Sequence, residues 1–191
     1  MRIIGGRFRG RRLAAVSGPV RPTADRVREA IFNILGERVQ GATVLDLYAG
    51  TGALGLEALS RGAAQVVFVE QHHQVRHLLQ RNLTALGVAD QARLVAGRVL
   101  PTLPQLARGG QRFDLVFLDP PYGLGLAAAT LKVLAAHNLV KTGGLVVVEC
   151  HRTEELAPAY PPLHRCDCRT YGTTSISLYQ SATDDERDSY G

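Results

Sequence analysis

The sequence predicts an α/β fold with a doubly wound, mostly parallel sheet, a C-terminal antiparallel strand pair, and an N-terminal basic ribbon plus helix. Two observations predict it. From residue 43 onward, short apolar segments alternate with segments whose apolar residues recur at helical spacing. The short segments lack polar alternation, which is typical of parallel strands buried on both faces beneath crossover helices.

The N-terminal segment is strongly basic. Residues 1–21 contain six arginines and no acidic residue, whereas the whole 191-residue chain has a net charge of +5. Apolar and basic pieces alternate around Gly5-Gly6, which predicts a hairpin or loose ribbon. Guanidinium groups match phosphate oxygens, so this segment is a candidate nucleic-acid clamp, with a solvated basic tail as the alternative. The candidate contacts are Arg7, Arg9, Arg11, Arg12, Arg21 and, on the following helix, Arg26.

The regular elements follow in order along the chain. A helix begins at Pro22 and places an apolar stripe on one face, with Arg26, Arg28 and Glu29 facing away from it. Nearly continuous apolar runs predict strands at residues 43–48, 65–70, 92–96, 113–119 and 145–150. Helices are predicted between them at residues 53–61, 73–86, 99–107 (interrupted near Pro104) and 126–137. Residues 166–170 and 175–180 form the closing pair around a turn at Gly172.

Length and composition restrict the organisation of the chain. At about 150 residues per domain, we expect one domain with a small appendage. Our division is residues 1–40 for the arm and helix, 41–181 for the domain, and 182–191 for an acidic, disordered tail. No apolar run approaches about 18 residues, so we expect no membrane span. With three cysteines and no apolar leader, we expect a cytoplasmic protein. His164, Cys166 and Cys168 alternate without a fourth ligand, so no metal site is predicted.

A glycine-rich loop follows the first strand. Gly50, Gly52 and Gly55 satisfy G-x-G-x-x-G between a strand and a helix, where glycine permits a tight turn and the close approach of a ligand. Glu70 follows 20 residues after Gly50, at the end of the second strand. A carboxylate there can accept both ribose hydroxyls of a nucleoside. A plain glycine turn beside a surface glutamate is the alternative.

The loop motif does not separate NAD from S-adenosylmethionine, because both contain adenosine. Asp46 lies at the strand end, four residues before Gly50, where it could orient the loop and the amino-acid end of the cofactor. The loop also follows an extension of 40 residues, whereas a dinucleotide fold usually begins with this strand. These two features favour S-adenosylmethionine.

The fourth strand ends in Asp119-Pro120-Pro121-Tyr122. Ligands of open α/β sheets bind at the carboxyl ends of strands, so this segment is expected beside the cofactor's sulfonium. Asp119 and a backbone carbonyl of the rigid Pro-Pro segment can each accept one N–H of an exocyclic amino group, which positions a poor nucleophile and stabilises its developing charge. Tyr122 offers a ring for stacking. A β-turn with a capping aspartate is the alternative. Glu149 ends the fifth strand and is interpreted as satisfied in the core, with a position at the pocket rim as the alternative.

Together these motifs resemble the RsmD family of 16S rRNA guanine-N2 methyltransferases. The resemblance spans about residues 2–180 and is carried by segments 3–6, 21–29, 49–63 and 119–122. It implies a Rossmann-like methyltransferase sheet, S-adenosylmethionine as donor, and a guanine in small-subunit rRNA or an assembling 30S subunit as acceptor. We expect a monomer. Members of the family often have an acidic or amide residue near the adenine, after the third strand. Arg98 occupies that place here and is the candidate contact, with backbone and packing alone as the alternative.

Three other functions stay open. A DNA adenine-N6 methyltransferase can share Asp-Pro-Pro-Tyr, but such enzymes usually carry an added target-recognition domain for which this chain has no room. An NAD-linked oxidoreductase would leave Asp-Pro-Pro-Tyr and the arginine-rich segment unexplained. The third is a non-catalytic RNA-binding protein that has kept the fold, and the intact motifs count against it.

Overall fold

The computed structural model describes residues 1–15 and 22–182, without the side chains of residues 22–24. Arg21 and residues 183–191 of the acidic tail therefore lie outside the described residues. The chain divides into two compact units, Met1–Arg98 and Val99–Gly191. None of the helices in the described part is long and apolar enough to cross a membrane.

The first unit contains a three-stranded parallel sheet. Its strands are β1 (Thr43–Leu47), β2 (Gln65–Glu70) and β3 (Ala92–Ala96), in the order β3-β2-β1. Its helices are α1 (Pro22–Leu35), α2 (Ala53–Ser60) and α3 (His73–Leu86). The strands are parallel because α2 and α3 return the chain to the same end of the sheet. The core of the unit includes Leu45, Leu56, Phe68 and Leu79, all with less than 2% of their surface exposed.

Residues 1–15, which we call the N-terminal ribbon, form a folded hairpin within the first unit. The N–H of Ile3 donates to the carbonyl of Arg11 at 3.0 Å, and the N–H of Leu13 donates to the carbonyl of Met1 at 3.0 Å. Ile3 is 1% exposed and Leu13 is 7% exposed. The predicted ribbon is therefore present, and the side chains of Ile3 and Leu13 are part of the core.

The second unit contains a mixed sheet. Its strands are β4 (Phe113–Leu118), β5 (Val140–His151), β6 (Ala159–Tyr160), β7 (Leu163–Tyr171) and β8 (Thr174–Ser181), in the order β4-β5-β8-β7-β6. Its helices are α4 (Val99–Arg108) and α5 (Leu126–Ala136). Strands β4 and β5 are parallel, and β5 to β8 pair antiparallel. The predicted fold class is confirmed, including the C-terminal antiparallel pair, to which β6 adds a short third strand.

Several local predictions differ from the structure. Strand β5 begins at Val140 and not at residue 145, and β7 begins at Leu163 and not at residue 166. Helix α4 is not interrupted at Pro104 but continues through it, because Val99, Leu103 and Leu106 form one buried face. Arg28 does not face solvent: it is 6% exposed. Its Nη2 donates to the Asp25 carboxylate at 2.8 Å and to the carbonyl of Arg2 at 2.9 Å, so its charge is paired inside the unit.

Candidate functional site

The three glycines of the loop between β1 and α2 have different roles. Gly50 and Gly52 have φ angles of 55° and 86°, which L side chains rarely adopt, and Gly52 caps α2. A Cβ on Gly55 would collide with the ring of Phe68, so this glycine permits close packing of α2 on β2. A Cβ on Gly50 would meet only the carbonyl of Tyr48, at 3.9 Å. The backbone at Gly50 therefore faces open space that a ligand can approach.

Asp46 lies beneath this loop and supports the start of α2. It is 2% exposed, and its Oδ2 accepts the N–H of Gly55 at 2.9 Å. Burial raises the pKa of Asp46 to about 8, with a further contribution from the charge of Glu70, while the hydrogen bond from Gly55 acts in the opposite direction. The carboxyl group is therefore mostly neutral at pH 7, and it orients the loop from within.

Glu70 ends β2 with its carboxylate directed at the same loop. It is 6% exposed. Its Oε2 accepts the N–H of Gly50 at 2.9 Å, and its Oε1 accepts the N–H of His72 at 2.8 Å and lies 2.8 Å from His72 Nδ1. A carboxylate has about four acceptor positions, so Glu70 can accept a further hydrogen bond. No sequence pattern singled out His72 as a partner of Glu70.

Arg98 follows β3 at the end of the first unit. The N–H of the preceding residue, Gly97, donates to the carbonyl of Glu70 at 3.2 Å, so the ends of β2 and β3 are level. The Arg98 side chain is exposed. Its position after the third strand is the one expected from the sequence.

In the second unit, the Asp-Pro-Pro-Tyr segment follows directly after β4. Asp119 is exposed and Pro120 is buried. The Tyr122 hydroxyl donates to Oε1 of Glu149 at 3.1 Å, and the N–H of Gly123 donates to Oε1 of Glu154 at 2.8 Å. Burial and the charge of Glu149 raise the pKa of Tyr122 above its usual range, so the hydroxyl remains a donor. Acidic side chains at and after the end of β5 thus hold this segment.

The interpretation of Glu149 as a core residue was wrong. Glu149 is only half-buried, and its carboxylate accepts a hydrogen bond from the hydroxyl of Tyr122. Tyr122 is itself 42% exposed. Sequence reasoning also missed Glu154. Its position in an irregular segment after β5 carries no periodic signal.

The candidate arginines of the ribbon are exposed, but two of them form hydrogen bonds with other parts of the first unit. Arg7 donates to Oε1 of Gln91 at 2.6 Å and lies over the ring of Phe8, and Arg11 donates to the carbonyl of Ala85 at 2.9 Å. Each uses one guanidinium nitrogen in these hydrogen bonds. The remaining candidate phosphate contacts of the described chain are exposed side chains: Arg9, Arg12 and Arg26.

Within residues 1–15 and 22–182, no group of three or more His, Cys, Asp or Glu side chains is arranged to hold a metal ion. Cys168 instead contacts serine hydroxyls of β8: Ser177 donates to its sulfur at 3.5 Å, and Ser175 lies at 3.6 Å.

Comparison with known proteins gives matches over nearly the whole chain. The sequence profile of the family described as Conserved hypothetical protein 95 matches residues 1–180. Ribosomal RNA small subunit methyltransferase D of Escherichia coli (strain K12) is 39% identical over 191 residues, covering 98% of this chain and 93% of the relative. The protein of the same name from Haemophilus influenzae is 38% identical over 185 residues, covering 95% and 94%. A solved structure of a candidate methyltransferase from Escherichia coli has a TM-score of 0.84 at 36% identity, covering 96% of this chain and 99% of that chain.

Proposed function

Because this chain belongs to the Conserved hypothetical protein 95 family, as its resemblance to the RsmD methyltransferases predicted, we propose that it transfers a methyl group from S-adenosylmethionine to the exocyclic N2 amino group of a guanine in small-subunit rRNA. The observation that carries the proposal is the bare backbone of Gly50 beside the buried carboxylate of Glu70. The DNA methyltransferase, oxidoreductase and non-catalytic alternatives gain no support from relatives whose names specify rRNA methylation.

The first unit fits a nucleoside-containing donor. The open space at Gly50 accommodates close approach to the backbone, and the remaining acceptor capacity of Glu70 suits ribose hydroxyls. Asp46 acts from below the loop by fixing the N–H of Gly55. When bound, S-adenosylmethionine supplies an electrophilic methyl group on a positively charged sulfur. The proposed donor-binding residues are Asp46, Gly50, Gly52, Gly55, Glu70 and Arg98.

The second unit supplies the groups that hold the acceptor. An exocyclic amino group is a poor nucleophile because its lone pair is delocalised into the base. The carboxylate of Asp119 and the carbonyl of Pro120 each accept one N–H, which fixes the nitrogen and stabilises the positive charge that develops on it. Tyr122 stacks on the base, and its hydrogen bond to Glu149 fixes the orientation of the ring. Pro121 completes this proposed catalytic segment by restricting its backbone.

The ribbon and α1 supply the proposed phosphate contacts. Arg7, Arg9, Arg11, Arg12 and Arg26 are exposed, and guanidinium groups bind phosphate oxygens through paired donors. Arg21 belongs to the same proposal but lies outside the described residues. We further propose that the substrate is rRNA within an assembling 30S subunit, and that the protein acts there as a cytoplasmic monomer.

The experiment is a nucleoside analysis of small-subunit rRNA. RNA from a strain lacking this protein should lose one N2-methylguanosine, and expression of the wild-type protein should restore it. Purified protein, S-adenosylmethionine and the unmethylated RNA should restore the same nucleoside in vitro, with naked rRNA and isolated 30S subunits tested in parallel to identify the natural substrate.

The matched control for complementation is the Asp119→Ala variant, which keeps the proposed donor-binding residues. Unchanged N2-methylguanosine in the deletion strain would contradict the assignment. Loss of N6-methyladenine from genomic DNA in that strain would point instead to the DNA methyltransferase alternative.

A further inference from the structure

Asn82 is a buried polar residue that the proposed mechanism does not use. It lies in α3 and is 2% exposed. Its Oδ1 accepts the N–H of Ala14 at 2.8 Å, and its Nδ2 donates to the carbonyl of Ala14 at 3.0 Å and to the carbonyl of Thr51 at 3.1 Å. One side-chain amide therefore joins the N-terminal ribbon to the glycine-rich loop.

The two hydrogen bonds to Ala14 hold the end of the ribbon as a neighbouring strand would. A residue in a sheet exchanges both its N–H and its C=O with a partner, and the Asn82 amide offers the same donor and acceptor. The other end of the ribbon also reaches the loop, because Thr51 Oγ1 lies 3.8 Å from the sulfur of Met1. The N–H of Leu13 donates to the carbonyl of Met1, and this hydrogen bond joins the two ends of the ribbon.

The loop is fixed from two directions. The N–H of Gly50 is held by Glu70, and the carbonyl of Thr51, the next residue, is held by Asn82. Only the second of these supports depends on the ribbon. If the end of the ribbon shifts, Asn82 loses two of its three hydrogen bonds. The side-chain amide is then no longer held in the orientation in which it donates to the carbonyl of Thr51.

We propose that Asn82 is a positioning residue that couples the ribbon to the glycine-rich loop, so that binding of RNA phosphates to the ribbon strengthens donor binding at the loop. This inference rests on the proposed function. Arg11 and Arg12 directly precede Leu13 and Ala14, so a polyanion that binds these arginines also restrains the segment held by Asn82. By linkage, donor binding strengthens RNA binding by the same factor.

The test measures donor-site affinity with and without RNA. Equilibrium dialysis with labelled S-adenosylhomocysteine, which cannot transfer a methyl group, gives Kd for the wild-type protein alone and with saturating unmethylated 30S subunits from a strain lacking this protein. We expect the RNA to lower Kd about fivefold in the wild type, the lower end of typical coupling between sites. In Asn82→Ala the ratio of the two Kd values should fall to about one.

Thr84→Ala is the matched control on the same helix, because the Thr84 hydroxyl donates to the carbonyl of Gln80 within α3. It should keep the wild-type ratio. Ala14→Pro is the second variant if Asn82→Ala does not fold, since proline removes the N–H that Asn82 accepts. It should lower the ratio in the same way.

Hydrogen exchange without either ligand gives an independent readout. Amides of residues 49–55 should exchange faster in Asn82→Ala than in the wild type or Thr84→Ala, because the loop has lost one support. A wild-type Kd ratio of one, an unchanged ratio in Asn82→Ala, or unchanged loop exchange would each overturn the coupling. Absence of S-adenosylhomocysteine binding or of binding to these 30S subunits in the wild type would instead overturn the proposed function itself, and the coupling with it.

Discussion

The N–H of Gly5 donates to the buried carboxylate of Glu57 at 2.7 Å and fastens the N-terminal ribbon to the middle of α2. The N–H of Ile4 donates to Oε2 of the same carboxylate at 2.8 Å. Nε of Arg61 donates at 2.8 Å to Oε1, the oxygen that also accepts from Gly5. A Cβ on Gly6 would collide with the carbonyl of Ser60, so the ribbon can approach this closely only because glycine is there. The N-terminal ribbon is thus a docked part of the first unit.

Replacing Glu57 with alanine should strongly destabilise the first unit. Glu57 is 0% exposed and Arg28 is 6% exposed, so the change leaves a buried cation and two backbone N–H groups without this partner. Breaking a buried ion pair costs about 3–5 kcal/mol of the free energy of unfolding. Urea denaturation measures it, with Glu29→Ala, an exposed change on α1, as the control. A loss no larger than in the control would contradict the anchoring role.

Replacing the exposed ribbon arginines should weaken RNA binding without unfolding the protein. If Arg7, Arg9, Arg11 and Arg12 contact phosphates, their joint change to alanine should make the slope of log K against log salt shallower by roughly 3. Exposed arginines contribute little to stability, so the thermal midpoint should move little. Binding is measured at three salt concentrations. Equal slopes for the wild type and the variant would argue against phosphate contacts.

The matched control replaces four exposed arginines elsewhere, namely Arg38, Arg93, Arg108 and Arg112. Its slope should stay close to that of the wild type. Deletion of residues 1–15 is a poor substitute for these variants, because it also removes the buried side chains of Ile3 and Leu13 and exposes Glu57. We expect the deletion to destabilise the first unit and to weaken donor binding indirectly.

Glu70→Gln should weaken S-adenosylmethionine binding by about 1.5–3 kcal/mol, because a charged acceptor of the ribose hydroxyls becomes neutral. Titration calorimetry measures the change. His72→Ala is the control, since it removes the ring near Oε1 but keeps the carboxylate and the backbone N–H. It should have a smaller effect. An unchanged affinity in Glu70→Gln would remove this carboxylate from the donor site.

Asp119→Ala should lower the rate of methyl transfer by about 10²–10³ while donor affinity stays nearly constant. The loss corresponds to one preorganised partner of the charge that develops in the transition state. Single-turnover transfer to unmethylated rRNA measures the rate, and calorimetry measures affinity. Asp90→Ala, an exposed change after α3, is the control. Transfer at the wild-type rate would show that this carboxylate does not act on the amino group.

Asp46 should make the protein less stable as pH rises. Burial raises its pKa from 3.8 to about 8 in the folded protein, so the folded state binds this proton more tightly than the unfolded chain does. Its stabilising contribution is therefore complete below pH 3.8 and is lost as pH rises towards 8. Asp46→Asn keeps an oxygen for the N–H of Gly55 but cannot ionise.

Relative to the wild type, the Asp46→Asn thermal midpoint should therefore rise by about 3 °C or more between pH 5 and pH 9. Thermal denaturation across that range measures the difference, with Asp90→Asn as an exposed control. Parallel midpoint curves for the wild type and Asp46→Asn would show that Asp46 has an ordinary pKa.

Much of the fold could be predicted because its signals are local. Apolar runs placed β1 to β4 within one residue of their observed ends, and helical spacing did the same for α2 and α3. The two-residue strand β6 was missed because so short a pair gives no periodicity. The uninterrupted course of α4 was missed because a proline signals a break, whereas packing of its buried face decides otherwise.

The sequence by itself determined the order of strands and helices, the glycine-rich loop with its strand-end carboxylate, and the Asp-Pro-Pro-Tyr segment after β4. These depend on periodicity and on spacing within one or two elements. Only the tertiary structure decided that Glu57 holds Gly5, 52 residues away, and that Asn82 holds Ala14, 68 residues away. A buried polar side chain must find a hydrogen-bond partner, but the path of the chain decides which backbone groups come within reach of it. The same path docks the N-terminal ribbon on the unit and connects it to the loop, which its charge alone does not reveal.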